Sequence, residues 1–177
     1  MRTEPRIIPV LLLANERFVK TRCFADPIYV GDPLNVLSIF NEFEVDEIVL
    51  LDIDAAASRV PTSFDLLSHY AEECYIPLAY GGGLTTDEQI GALFQAGYEK
   101  AVVNSLLADS PHTVEAAAHR YGSQAIVASI DVRKDGDDQK VVVHGNRDVV
   151  SVEPVQWARR ATELGVGEIL VTSVERE

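Results

Sequence analysis

The sequence predicts an α/β fold built on a parallel sheet. Residues 76–105 read as a strand, a turn of three glycines, a helix and a second strand, which is the pattern of a βαβ crossover. Apolar strand-like segments alternate with amphipathic helix-like segments along the whole chain, giving six strands and five helices. The segment VDEIVLLDID at 45–54 also resembles VGEILVTSVE at 166–175, which indicates an internal repeat.

The repeat favours a (β/α)8 TIM barrel made of two similar halves. A partner for the glycine unit of residues 81–105 would then lie beyond Glu177, so the interpretation is a barrel cut just after its sixth strand. Residues 1–177 would form a single incomplete domain, with the first half-barrel at about 1–122 and part of the second at 123–177. Six parallel strands would also fit a doubly wound open sheet, which stays as the alternative.

The first half of the chain is assigned from apolar runs and helix-start signals. Asp32-Pro33 is typical of a helix start, because proline fits the first turn, and Leu34, Leu37 and Phe40 follow at helical spacing. The predicted elements are a strand at 6–13, a long polar loop at 14–31, the helix from Asp32, a strand at 47–54 and a helix at 63–74.

The second half repeats this alternation. Thr85 and Glu88 have the spacing of a capping box, and Gly97 lies where a left-handed helix cap is expected. The predicted elements are strands at 76–80, 101–103, 125–131 and 168–174, helices after Thr85, from Ser110-Pro111 and at 153–164, and a small hairpin at 132–151.

Composition narrows the class of protein. The net charge of −13 argues against a nucleic-acid binder, whose footprint would be basic. No apolar run is long enough to span a bilayer, and the start MRTEPR lacks the apolar middle of a signal peptide. Cys23 and Cys74 lie far apart with no metal-ligand spacing, so reduced thiols in a cytoplasmic protein are expected, with a disulfide as the lesser alternative. We also expect no metal, no cofactor and no membrane partner.

The glycine turn is the first candidate site. Gly81, Gly82 and Gly83 follow a predicted strand, where exposed backbone N–H groups bind phosphate. Asn104 and Ser105, at the end of the next strand, could reach the same oxygens. Three glycines without a fuller fingerprint fit equally well a turn that only lets a helix pack closely, so both readings stay open.

Several long motifs carry a family resemblance. RIIPVLL, DEIVLLDI, GGGL, GYEKAVVNS, GSQAIVASID and GEILVTSVER occur in that order over essentially the whole chain. They resemble the cyclase subunit HisF of imidazole glycerol phosphate synthase. The resemblance implies a phosphate-binding barrel of the HisF/HisA type that receives ammonia from a glutaminase subunit, HisH. It also implies a phosphorylated nucleotide substrate.

The resemblance places functional residues on this sequence. The family's phosphate contacts fall on Gly82 and Asn104, with Ser105 where threonine is common, its acid/base carboxylate falls on Asp131, and its loop lysine falls on Lys20. The four charged residues around the family's ammonia entrance fall on Arg6, Glu47, Lys100 and Glu168. Each of these four begins a predicted strand, at the end opposite an active site in this fold. A salt-bridge layer that closes the barrel floor is the alternative reading of the same four residues.

One position departs from the family. The expected aspartate of the first strand is Leu12, which can neither donate nor accept a proton. Because cyclisation in this family needs two carboxylates, only Asp131 remains of the pair. Asp54 could replace the missing carboxylate, or it could simply cap the following turn.

Two functions therefore compete. One is the cyclase of histidine biosynthesis, a lyase. The other is a diverged paralogue that handles ammonia without cyclase chemistry and resembles those encoded with a sugar amidotransferase in lipopolysaccharide and other surface-polysaccharide pathways. Retention of the four entrance residues with loss of the first aspartate favours the ammonia conduit. An inactive barrel fragment is the third reading.

Overall fold

The computed structural model describes residues 5–136 and 138–176. Within these residues the strands are β1 Val10–Ala14, β2 Arg17–Arg22, β3 Ala25–Gly31, β4 Ile48–Asp52, β5 Leu78–Gly81, β6 Lys100–Val103, β7 Ile126–Asp135, β8 Asp138–Val143, β9 Asp148–Val150 and β10 Glu168–Ser173. The helices are α1 Pro33–Phe43, α2 Ile53–Ser58, α3 Phe64–Glu73, α4 Asp87–Gln95, α5 Ser105–Asp109, α6 Pro111–Tyr121 and α7 Pro154–Glu163, with a 3₁₀ turn at Ser123–Ala125.

The central sheet is parallel, and its strands lie in sequence order. β1 pairs with β4, β4 with β5, β5 with β6, β6 with β7 and β7 with β10. Each new parallel strand therefore joins on the same side of the one before, as in a barrel, whereas a doubly wound sheet reverses direction near its middle. This order fits a TIM-barrel type of fold and disfavours the open-sheet alternative. Over residues 5–136 and 138–176 no pairing joins β10 to β1, so the closed barrel stays a prediction.

The two faces of this sheet differ in what covers them. Leu50, Tyr80, Val103 and Ile130 belong to the large core that the helices complete. The residues between them alternate to the other face, as strand geometry requires, and form a small separate cluster. That cluster contains Val49, Ala79, Val102 and Val127, with Ile8, Leu51 and Leu170 packed against it. We call this second face the inner face.

The prediction of a loop at 14–31 is wrong. β2 and β3 form an antiparallel extension of β1, with Leu13 opposite Phe18 and Lys20 opposite Ile28. Two-residue turns join the three strands, and both residues of each turn have positive φ: 48° and 58° at Asn15-Glu16, 53° and 61° at Cys23-Phe24. These are the signs of a type I′ hairpin turn, which usually carries glycine. Because neither turn contains glycine, the hairpin could not be recognised from its turn residues.

Two boundaries of the first parallel strands also differ from prediction. The strand expected at 6–13 begins only at Val10. Pro9 lacks an N–H, although its carbonyl still accepts the Val49 N–H at 2.9 Å. The strand expected at 47–54 ends at Asp52, because the Asp52 side chain accepts the Ala55 N–H at 2.8 Å and caps α2. The short helices α2 and α5 had not been predicted.

The capping box of α4 lies one residue later than predicted. Thr86, not Thr85, is the N-cap, and its Oγ1 accepts the Gln89 N–H at 3.3 Å. Gln89 Oε1 in turn accepts the N–H groups of Thr86 at 3.2 Å and Thr85 at 2.7 Å. Glu88, the partner expected in the sequence, is exposed. Gly97 does follow the helix with a positive φ of 99°, as predicted.

The remaining elements were predicted to within a few residues. The expected strands at 76–80 and 101–103 are β5 and β6, the strand at 168–174 is β10, and the helices at 63–74 and 153–164 are α3 and α7, where Trp157 is buried. The helix expected at Ser110-Pro111 is α6. The insert at 132–151 is a hairpin as expected, although β7 runs on to Asp135 in order to pair with β8. No helix in the described part of the chain is long and apolar enough to cross a bilayer.

Candidate functional site

A ring of four charged side chains lies where the parallel strands begin. Arg6 Nη1 is 3.3 Å from Glu47 Oε2, and Arg6 Nη2 is 3.2 Å from Glu168 Oε1. Lys100 Nζ is 2.6 Å from Glu47 Oε2 and 2.9 Å from Glu168 Oε1. Cations and anions thus alternate around a closed circuit, which we call the charged ring. The structure brings together all four residues that the resemblance had assigned to an ammonia entrance.

The ring is buried on one side and open on the other. Glu47 and Lys100 are almost fully buried, with 4% and 8% of their surfaces exposed, whereas the Arg6 side chain is half exposed. Burial by itself would raise the pKa of Glu168, but its hydrogen bonds and charge attraction to Lys100 and Arg6 outweigh burial and lower that pKa. Glu168 therefore stays ionised at neutral pH and pairs with both cations. Such a ring fits either a gate or a salt-bridge layer.

A hydrogen-bonded chain lies at the opposite, carboxyl ends of the strands. Asn104 Nδ2 donates to Asp131 Oδ2 at 3.1 Å and to the carbonyl oxygen of Ser129 at 3.0 Å. The Ser105 hydroxyl donates to Asn104 Oδ1 at 3.3 Å. Three of the predicted site residues, from β7 and from the start of α5, therefore contact one another. The amide of Asn104 orients the half-buried Asp131 carboxylate, whose acid/base role stays a prediction.

The glycine turn packs against neighbouring backbone. Gly82 has φ +151°, and a side chain there would approach the carbonyl oxygen of Asp52 to 2.7 Å. Gly83 has φ +66°, and a side chain would approach the Val60 carbonyl carbon to 2.5 Å. Glycine is therefore required at both positions for conformation and for packing alone. This finding supports the packing alternative, and phosphate binding at Gly81, Gly82 and Gly83 stays a prediction.

Asp52 is a buried carboxylate that the sequence reasoning did not select. Only 4% of its surface is exposed, and it accepts the Ala55 N–H and the Thr62 hydroxyl. Burial raises the pKa of Asp52, and these two hydrogen bonds offset part of that effect. The Thr62 N–H donates to the Tyr80 hydroxyl oxygen at 3.2 Å, which extends the buried cluster beneath Gly82. The sequence did mark Asp52 as an acidic residue at the end of an apolar run. The possible catalytic role was, however, assigned to the neighbouring Asp54.

Asp54 and Lys20 lie near the hairpin that extends β1. Asp54 is exposed in the first turn of α2, and its Oδ2 accepts the Asn15 N–H at 2.8 Å. The carboxylate thus binds the distant β1–β2 turn. The element that follows its own strand is capped by Asp52, not by Asp54 as the turn-capping alternative expected. Lys20 is exposed on β2 opposite Ile28. Their catalytic roles stay predictions.

Leu12 is half-buried near the carboxyl end of β1. Its strand neighbours Leu11 and Leu13 pack into the helix-covered core, so alternation places Leu12 on the inner face. It pairs with Leu51 on β4 and with Val19 on β2. Asp131 follows Val127 and Ser129 at every second position of β7, which places it on the same face, with β4, β5 and β6 lying between the two strands. An aliphatic group therefore faces one side of the site and a carboxylate the other.

Comparison with known proteins gives a match over the whole described chain. The model of the family described as "Histidine biosynthesis protein" matches residues 6–177. The protein named putative imidazole glycerol phosphate synthase subunit hisF2 from Pseudomonas aeruginosa is 41% identical over 174 residues, which is 97% of this chain and 69% of that relative.

Two further relatives carry similar names. A putative imidazole glycerol phosphate synthase subunit HisF from Leptospira interrogans is 38% identical over 98% of this chain and 69% of its own length. The imidazole glycerol phosphate synthase subunit HisF of Myxococcus xanthus is 37% identical over 97% of this chain and 68% of its own length. The sequence thus spans about two thirds of the length of these relatives.

Proposed function

The chain belongs to the histidine biosynthesis protein family, as a relative of HisF subunits, and from this we propose that it is the HisF-like subunit of a glutamine-dependent amidotransferase complex. In this proposal, a HisH-like glutaminase subunit releases ammonia at the charged ring. The ammonia then moves along the inner face towards the carboxyl ends of the strands. There it reaches a phosphorylated or sugar-nucleotide acceptor system.

One observation carries the proposal: the charged ring is complete while the first-strand carboxylate is absent. Four side chains that precede or begin four separate strands keep both their charge types and their mutual contacts. Leu12, at the other end of the same face, cannot take part in acid/base chemistry. General decay of function would not spare a set of four interdependent charges. Loss of cyclisation with retention of ammonia handling accounts for both features.

The inner face supports ammonia transfer through its chemistry. Between the charged ring and Asp131 it presents the apolar cluster of Val49, Ala79, Val102 and Val127. An apolar lining lets neutral ammonia pass and disfavours the ammonium ion, because burying an uncompensated charge is costly. Because the charges of the ring pair with one another, the ring would not bind an ammonium ion strongly. Neutral ammonia released by the glutaminase would therefore pass it.

The sites at the carboxyl ends have separate roles in this proposal. Gly82, Asn104 and Ser105 hold a phosphate group of the acceptor, Asp131 exchanges a proton, and Lys20 on the hairpin approaches from outside. We also propose that the chain folds as a (β/α)8 barrel, with its first half at about residues 1–122 and part of its second half at 123–177. A sugar amidotransferase is the third partner that the conduit would serve, and the complex would work in the cytoplasm.

The alternative is an authentic imidazole glycerol phosphate synthase cyclase. The names of the relatives favour it, because each is called a subunit, or a putative subunit, of that enzyme. Asp131 would then supply one carboxylate, and Asp54 would have to supply the other. Asp54 would first have to release the Asn15 N–H.

The deciding experiment combines this protein with a HisH-like glutaminase. It measures glutamine hydrolysis and consumption of the ribulosyl-formimino nucleotide in the same reaction. The conduit predicts that glutaminase activity is stimulated and that the nucleotide is not consumed. Consumption of the nucleotide with Leu12 in place would contradict the conduit and support the cyclase. Absence of stimulation would contradict both.

A further inference from the structure

His144 lies in the turn between β8 and β9 with a carboxylate on each side of its ring. Its Nδ1 is 2.7 Å from Asp148 Oδ2, and its Nε2 is 3.1 Å from Asp109 Oδ2. Asp148 begins β9, whereas Asp109 ends α5, the helix that starts at Ser105. The imidazole therefore bridges the hairpin insert and the element that carries a predicted phosphate-binding residue.

The geometry requires two N–H donors on one ring. Ionised carboxylates only accept hydrogen bonds, so both contacts are hydrogen bonds only if both ring nitrogens carry a proton. Neutral imidazole has one N–H and can keep one of the two. Two cations also face this cluster: Arg59 pairs with the same Asp109 oxygen, and Arg147 donates to the His144 carbonyl oxygen at 2.7 Å. The Asp109 carboxylate thus lies between the Arg59 guanidinium and the imidazole, while Arg147 holds the backbone of the turn.

The backbone of His144 connects this cluster to the candidate site. The His144 N–H donates to Ser105 Oγ at 3.0 Å. Ser105 donates to Asn104, which donates to Asp131, so hydrogen bonds run without a break from the turn to the carboxylate. The turn also contacts the element after β4, since Arg147 Nη2 is 3.4 Å from the Ala57 carbonyl oxygen.

We propose that His144 is a positioning residue, a proton-dependent latch that holds the β8–β9 turn on α5 and fixes Ser105 Oγ beside the proposed anion site, where its proton turns from Asn104 Oδ1 to a bound anion. With both nitrogens protonated, the ring ties Asp109 to Asp148 and keeps the His144 N–H on Ser105. Loss of one proton removes one of the two ring bonds and loosens the turn. The latch deepens the proposed function, because it rests on Ser105 being part of an anion site.

The test is sulfate binding measured by NMR titration of the protein at about pH 5.5 and about pH 8.5, a range in which histidine changes charge. Sulfate keeps the same charge throughout, so any change in affinity comes from the protein. We expect sulfate to shift the resonances of residues 82, 104 and 105, with an affinity at least about fivefold weaker at the higher pH. In His144→Ala the affinity is expected to be low and similar at both pH values. His69→Ala, an exposed histidine on α3, is the matched control and should behave as the unmodified protein.

A second measurement separates the latch from the anion site. Hydrogen exchange of the residue 144 amide reports the contact with Ser105 directly, and Asp148→Asn weakens the latch from the surface without touching the core. We expect at least about tenfold less protection of that amide in both His144→Ala and Asp148→Asn. If the amide is protected equally in the two variants and in the unmodified protein, the latch is overturned. A sulfate affinity that changes neither with pH nor in His144→Ala would also overturn it. Absence of any sulfate binding would contradict the anion site, and the exchange result would then decide the latch alone.

Discussion

Lys100 Nζ lies 2.6 Å from Glu47 Oε2, and both residues are almost fully buried where β4 and β6 begin. A buried ion pair of this kind is costly to break, because removal of one partner leaves the other charged and uncompensated. On the solvent side of the charged ring, Arg6 pairs with both Glu47 and Glu168. The pair thus links the stability of the sheet to the proposed gate.

Lys100→Met should destabilise the fold by about 3 kcal/mol, because Glu47 would stay buried with only Arg6 beside it. Urea unfolding at neutral pH measures this loss. Arg6→Met is the matched control, since it removes a half-exposed cation and should cost about 1 kcal/mol or less. The double variant Glu47→Leu/Lys100→Met should regain most of the stability and still lose glutaminase stimulation. Equal losses in the two single variants would show that Lys100 is not the central member of the ring.

The stability that Glu168 contributes should depend on pH in a defined direction. Its folded-state pKa is lowered, so the contribution is present above the ordinary glutamate pKa and is lost as pH falls through the lowered value. We expect Glu168→Gln to be less stable than the unmodified protein by about 1 kcal/mol at neutral pH, since the carboxylate is partly exposed. Denaturant titrations from pH 7 down to about pH 3 should show that the difference in unfolding free energy between the two proteins becomes smaller. A gap that widens on acidification would contradict this assignment.

Asp52 should show the opposite dependence. Burial raises its pKa, so its protonated form is favoured by folding, and the stabilisation is lost as pH rises through the raised value. Asp52→Asn keeps a side-chain oxygen for the Ala55 N–H and carries no charge. The stability of Asp52→Asn relative to the unmodified protein should therefore improve between about pH 4 and pH 7. Parallel pH profiles for the two proteins would refute the raised pKa.

Gly82→Ala should destabilise the protein even without any ligand. Its added methyl group would meet Asp52 backbone and side-chain atoms closer than 3 Å, on top of the positive φ. Gly136→Ala is the control, because it has φ +64° and nothing within 4 Å of the added atom. We expect thermal unfolding to show a loss of about 2–3 kcal/mol at Gly82 and about 1 kcal/mol at Gly136. Similar losses would mean that Gly82 is not closely packed, and loss of phosphate binding in Gly82→Ala would then report on the site itself.

Leu12→Asp tests whether cyclase chemistry has been lost at one position. One general acid/base contributes about 10²- to 10⁴-fold, so Leu12 should lower turnover of the cyclase substrate by a factor of at least that size. Leu12→Asp should regain part of that factor only if Asp131 and the pocket are still aligned. Asp131→Asn in the Leu12→Asp background is the control and should abolish the gain. Turnover by the unmodified protein would make Asp54 the residue to replace next.

Sequence periodicity predicted the parallel strands well because they are buried apolar runs such as IVLL at 48–51 and AVV at 101–103. It missed β2 and β3 because their turns at Asn15-Glu16 and Cys23-Phe24 adopt positive φ without glycine, and β3 is mostly exposed. It misplaced the capping box because Thr85 and Thr86 are adjacent and both are acceptable caps. Local preference alone could not choose between them.

The family motifs selected Asn104, Ser105 and Asp131 one by one, and the hydrogen bonds that join them were visible only in the structure. Their roles stay predictions. The cluster of His144 with Asp109 and Asp148 had no local signal, because Asp109 lies 35 positions away in the chain. Only the turn of the hairpin insert brings these side chains together. Packing between elements, rather than the pattern within any one of them, creates that cluster.

The strand order has a consequence for how the protein is made. Because each parallel strand adds beside the previous one, every βα unit can dock on its predecessor as it leaves the ribosome, without waiting for distant sequence. The charged ring is the exception. Arg6, Glu47 and Lys100 can meet early, but Glu168 is 162 positions beyond Arg6 and arrives last. Until β10 docks, Lys100 would pair with one carboxylate instead of two. The docking of β10 therefore balances the two cations of the charged ring with a second anion.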